Sequence, residues 1–165
     1  MKRFLTLMLL VTGLTFNYAV LAQDAADTMT EKEIAEAYFE VFKKVYDMDP
    51  ALNMGIKYVS VDLTNVKAID KELLAPVFEE FCKEKGLEFL RYTYKELIDN
   101  GYGRVEGVGL REAVSIDFSD AVETENKLEI NASKYRGGHG AFGASYKLWK
   151  ENGEWVIEGG VTWES

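Results

Sequence analysis

The dipeptide Asn152-Gly153 leaves this 165-residue chain the fewest alternatives. A two-residue type I′ turn needs positive φ at both central positions, which Asn-Gly supplies best. Set between two apolar-alternating runs, it predicts a closing β-hairpin in which Glu151 flanks Glu154. That pairing puts Leu148 opposite Ile157, Tyr146 opposite Gly159, Ala144 opposite Val161 and Phe142 opposite Trp163, all on one face. Lys147 then falls opposite Glu158 on the other face. A slip of one residue would carry the whole apolar set into water, so turn chemistry and alternation choose one register independently. Tyr146 and Trp163 are expected in the core. Trp149 points the other way, either as ordinary surface or as part of a partner-binding patch.

The period of two extends upstream. Val114, Ile116 and Phe118 alternate with Ser115 and Asp117, and Leu128, Ile130 and Ala132 alternate with Glu129 and Asn131. Both runs predict strands. Nearer the N-terminus the period is helical. Thr30 and Glu33 form a capping box, each side chain reaching the other residue's free amide. Ile34, Tyr38, Val41, Phe42 and Val45 then make one apolar stripe on a helix that ends near Asp47, ahead of Pro50.

Residues 57–63 read as a strand and residues 71–85 as a helix ended by Gly86. Pro76, which lacks an amide donor, predicts a later start or a bend. Residues 87–93 read as a second strand and residues 94–100 as a short helix closed by Gly101. Strand–helix–strand in this order predicts a right-handed crossover between parallel strands. The expected fold is therefore α+β: a mixed, mainly antiparallel sheet with helices packed on one face and a C-terminal hairpin.

Residues 1–22 read as an address. Lys2 and Arg3 precede an apolar run over residues 4–16, and Val20-Leu21-Ala22 offers small residues at the two positions a signal peptidase reads. The run is short for a permanent span, which takes roughly 20 apolar residues. The expectation is a signal peptide at 1–22, a flexible stub at 23–29 and a single domain at 30–165, with the mature protein periplasmic or secreted. Cys82 is the only cysteine, so the domain folds without an internal disulfide. It falls on the stripe of Leu74, Phe78 and Phe81, which predicts a buried thiol acting as a small hydrophobe. The net charge of −9 argues against nucleic acid and against anionic lipid, so neither nucleic-acid binding nor membrane insertion after processing is expected.

One segment gathers candidate chemistry. Residues 133–143 hold Lys134, Tyr135, Arg136, Gly137, Gly138, His139 and Gly140, with the only histidine of the chain among them. Glycine amides can converge on an anion, and Arg136 could clamp a carboxylate or phosphate with two prongs. His139 could exchange a proton near neutral pH. The alternative is a plain connection between antiparallel strands, with glycine at turn and bulge positions. The spacing matches neither a Walker loop nor a dinucleotide fingerprint.

No catalytic set stands out. Ser133 and Ser145 flank His139, but neither lies in a Gly-x-Ser-x-Gly elbow. One Cys and one His cannot build a structural zinc site, and Asp47-Met48-Asp49 lacks the rest of a calcium loop, so no metal and no cofactor is expected. Asp117, Asp120, Glu123 and Glu125 are the densest acids, read as a solvated strand end. Asn131-Ala132-Ser133 matches a glycosylation acceptor by chance, inside a strand.

Residues 132–165, with Ser-Lys-Tyr-Arg, a glycine-rich stretch, Asn-Gly-Glu-Trp and a terminal Trp-Glu-Ser, resemble the ends of small exported bacterial proteins of unassigned function. The resemblance implies export and this kind of fold, and no mechanism. The Asn-Gly-x-Trp hairpin also resembles the ends of nuclear-transport-factor-2-like domains, from which the strand–helix–strand unit departs. The expected function is an exported binding module without catalysis, holding a small anionic ligand or a protein partner at residues 134–140. The alternative is a small extracytoplasmic hydrolase with His139 as base.

Overall fold

The computed structural model describes residues 29–104, 107, 109–124, 126–137 and 140–165. The leader at 1–22, most of the 23–29 stub, Gly138, His139 and Glu125 lie outside the described residues. Helix α1 (Glu31–Asp47) opens on the expected capping box: Glu33 N–H donates to Thr30 Oγ1 at 3.3 Å, and Thr30 N–H to Glu33 Oε2 at 2.8 Å. A 3-10 turn (Pro50–Asn53) follows, then strand β1 (Tyr58–Asn65). Helix α2 (Lys71–Glu84) is capped by Asp70, starts at Lys71 and carries Pro76 inside it. Strand β2 (Glu88–Leu90) is shorter than expected and pairs in parallel with β1, as the crossover requires.

A second capping box, Thr93 with Glu96, starts the short helix α3 (Tyr94–Leu97), which runs into a π turn (Ile98–Tyr102). Four long antiparallel strands finish the chain: β3 (Ala113–Thr124), β4 (Lys127–Gly137), β5 (Gly140–Glu151) and β6 (Glu154–Glu164). Among the described residues the sheet runs β2-β1-β3-β4-β5-β6, with β1 parallel to β3. The fold is α+β. No described helix is long and apolar enough to cross a membrane.

Period-two alternation gives the sheet an inner and an outer face. The inner face presents Val59, Val61, Ile116, Phe118, Leu128, Ile130, Ala144, Tyr146 and Leu148 to the stripes of α1 and α2. Phe42 sits 4.7 Å from the Phe78 ring, and Phe78 stacks on Phe118 at 5.9 Å. Cys82 is fully buried in this core, and burial pushes its thiol up to about 12. Asp120, at the end of β3's inward row, accepts the backbone N–H groups of Lys67 at 2.8 Å and Ala68 at 2.5 Å. It ties down the β1–α2 connection and is not a solvated strand end. On the outer face, Leu97, Leu110 and Ala113 with Tyr58, Tyr92 and Tyr102 form a smaller cluster, so the α3 segment covers one corner of that face.

The hairpin takes the expected register from Glu151–Glu154 through Ala144–Val161, with Asn152 at φ 53° and Gly153 at φ 83°. Beyond that it departs. Trp163 pairs with Gly143 and Glu164 with Phe142, which leaves Thr162 as an extra residue between Val161 and Trp163. This bulge reverses the facing of everything after it. Trp163 therefore leaves the core face for the outer one.

Candidate functional site

Alternation along β4 divides the residues that the sequence groups together. Lys134 is fully buried on the inner face, where its ammonium donates to the Tyr46 carbonyl at 2.7 Å and the Met48 carbonyl at 2.8 Å. Those carbonyls end α1 and have no helical partner of their own. Burial lowers the Lys134 amine to about 8, against the opposing pull of Asp49 and Asp47. Arg136 donates to the Leu52 carbonyl at 3.0 Å and, more weakly, to those of Ala51 and Arg111 at 3.5 Å each. Both cations hold backbone carbonyls together and do not line an exposed loop.

Gly137 closes β4, and Gly140 opens β5 so close to Leu52 that a Cβ there would lie 2.7 Å from Leu52 Cδ2. A cleft of about 420 Å³ beside this end of the sheet is lined by Met48, Asp49, Phe142, Val161, Glu164 and other residues. Its charged lining is acidic, which suits an anion poorly.

Tyr135 goes the other way. On the outer face its ring lies 5.7 Å from the Trp163 indole and 6.1 Å from Tyr94. Lys134 and Tyr135 thus cannot meet one small ligand, because the sheet lies between them.

The outer face carries a different arrangement. Asp62 pairs with Asp117, Asp117 with Ser133, Ser133 with Gly143, and Gly143 with Trp163. These five residues form one cross-strand row over β1, β3, β4, β5 and β6. Adjacent strands lie about 4.8 Å apart, so the carboxylates are neighbours and Asp117 stands about 10 Å from Gly143 across Ser133. The indole lies directly on Gly143: a Cβ there would fall 2.1 Å from Trp163 Nε1. Trp163 remains 41% exposed. Burial, and then the charge of Asp62, push the Asp117 carboxyl up to about 6, while its own backbone amide and the Ser133 hydroxyl pull the other way.

No protein-family model, curated protein or solved structure matches the chain. The row itself is therefore what bears on function. It offers acceptors at one end, an exposed aromatic plane at the other and a floor of small side chains between. Among the described residues no group of three or more His, Cys, Asp and Glu side chains could hold a metal ion.

Sequence reasoning missed Asp62 and Asp117 as a pair because 55 positions separate them along the chain. It also misplaced Trp163, by one bulged residue. The visible signal was the succession of small outward residues, Ser133, Gly143, Ser145 and Gly160, which clears the floor of one face.

Proposed function

We propose that the protein is an exported binding module that takes its ligand on the outer face of the sheet, along the row from Asp62 to Trp163, without transforming it. The bulge at Thr162 carries this reading. A strand serving the core alone would have kept Trp163 on the inner face, where regular alternation directs it. Instead the indole is turned outward, laid on a glycine and left partly in water, as a contact surface for something else. Asp117 adds support, because a carboxyl held at about 6 costs folding free energy at neutral pH and core packing gives no reason to keep it.

Native mass spectrometry of the chain isolated from its own host's envelope tests the proposal. The expected species begins at Gln23 and carries a bound mass that Trp163→Ala releases. A mass retained by Trp163→Ala but lost from variants of the Asp49–Glu164 cleft would overturn it.

One observation favours a second reading. A carboxyl near 6 beside a second carboxylate suits a proton donor or acceptor in hydrolysis. A bell-shaped rate profile with one limb near pH 6, abolished in Asp117→Asn, would establish it.

A further inference from the structure

Resting on the outer-face reading, we infer that the group this row receives is a cation, an ammonium or guanidinium seated between the Asp62 and Asp117 carboxylates and the Tyr135 and Trp163 rings. Like charges directly opposite one another on neighbouring strands destabilise a sheet. Elsewhere on the same face a strand carboxylate meets a cation: Glu129 faces Lys147 at 3.8 Å and accepts the Ser145 hydroxyl at 3.2 Å. Asp62 and Asp117 have no ion-pair partner among the described residues, and Asp62 accepts only the backbone N–H of Thr64, at 2.8 Å. A ligand cation supplies the missing charge.

The far end of the row agrees. Aromatic faces attract cations, tryptophan most strongly. Trp163 and Tyr135 lie 5.7 Å apart, with the indole partly exposed. The gap of about 10 Å between Asp117 and Gly143 is the width of two strand spacings. It fits an alkylammonium or guanidinium head lying on Ser133 in reach of both walls. Strand β6 adds Glu154 and Glu158 on this face with no Lys or Arg of its own, so the surrounding field also draws cations. A neutral saccharide could stack on the rings, but it would leave the carboxylate pair unrelieved.

The test is an amide-resolved NMR titration of the full mature chain at low salt with three probes. These are agmatine, a blocked Gly-Lys-Gly peptide and neutral N-acetylchitobiose. The expected result is saturable shifts at Asp117, Ser133, Tyr135, Gly143 and Trp163 with a cationic probe. Tighter binding of agmatine identifies a free amine, and tighter binding of the peptide a protein side chain. Asp62→Asn/Asp117→Asn should weaken binding at least tenfold while keeping the amide spectrum of a folded domain, and Trp163→Ala should weaken it independently. If chitobiose alone shifts these residues, undiminished in the Asn double variant, the cation is wrong and the surface stands. If none of the three probes moves the row, both readings fall.

Discussion

Lys134→Met keeps an unbranched side chain of similar length beneath the sheet and removes only the ammonium. Two carbonyls lose a donor, but unequally. The Tyr46 carbonyl also accepts Asn53 Nδ2 at 2.7 Å and stays satisfied, whereas the Met48 carbonyl loses its Lys134 contact. A stranded buried acceptor costs about 1–3 kcal/mol and a lost bond at a satisfied one about 1 kcal/mol, so the variant should be about 2–4 kcal/mol less stable where the native amine is neutral, near pH 10.5. At pH 7 methionine also avoids the cost of burying the ammonium, about 3 kcal/mol, so the two proteins should differ little there.

The pH dependence sharpens the test. The folded amine sits at about 8 and an unfolded one near its ordinary 10.5. Between those values the unfolded chain holds a proton the native state has released, so the wild type gains stability as pH rises, by about 3 kcal/mol over the window. The neutral amine still has two N–H donors for two carbonyls. Methionine cannot titrate, so the gap between the two proteins should widen from pH 8 to 10.5. Burial raises Tyr46 and Tyr146 in both proteins, which largely removes their titration from the difference. Urea unfolding followed by circular dichroism at several pH values measures the gap. A difference that narrows as pH rises, or no difference at pH 10.5, would refute a buried amine bridging these carbonyls.

Other substitutions probe separate parts of the molecule. Asp117→Asn should stabilise the fold above pH 6 by about 1–3 kcal/mol, because the native carboxyl keeps its proton to about 6 while an unfolded one releases it near 3.8. Stability of the wild type therefore falls as pH rises through that interval, and thermal melts from pH 3.5 to 7 should show the asparagine variant free of the decline. Asp120→Ala removes the acceptor for the Lys67 and Ala68 amides and should cost about 2–4 kcal/mol, with faster hydrogen exchange at those two positions as the local signature. Gly143→Ala should lift the Trp163 indole off the sheet at a cost of about 1–2 kcal/mol, since an exposed side chain can move aside; a red-shifted tryptophan emission reports it.

Much of the fold is legible in the chain because the deciding interactions are local. The Thr30–Glu33 box, the α1 stripe and the Asn152-Gly153 turn each involve residues a few positions apart, and all three stand in the structure. The parallel β1–β2 pair was legible through handedness, although β2 extends over only Glu88–Leu90. The candidate site was far less so. Clustering along residues 134–140 suggested one anion-binding loop, yet alternation sends Lys134 inward and Tyr135 outward. Proximity along a strand separates side chains as surely as it gathers them.

By itself, then, the amino-acid order determined the helices, the turn and the register of the hairpin up to Ala144–Val161, because short loops and apolar periodicity leave one low-energy choice. Only the tertiary structure decided that Thr162 bulges, that Lys134 holds the end of α1 and Arg136 the 3-10 turn after it, and that Asp62 and Asp117 stand side by side with Trp163 across the sheet. Each of those depends on strand pairs closed over long stretches of chain. Their energy comes from burial and pairing across the sheet, which no local pattern records.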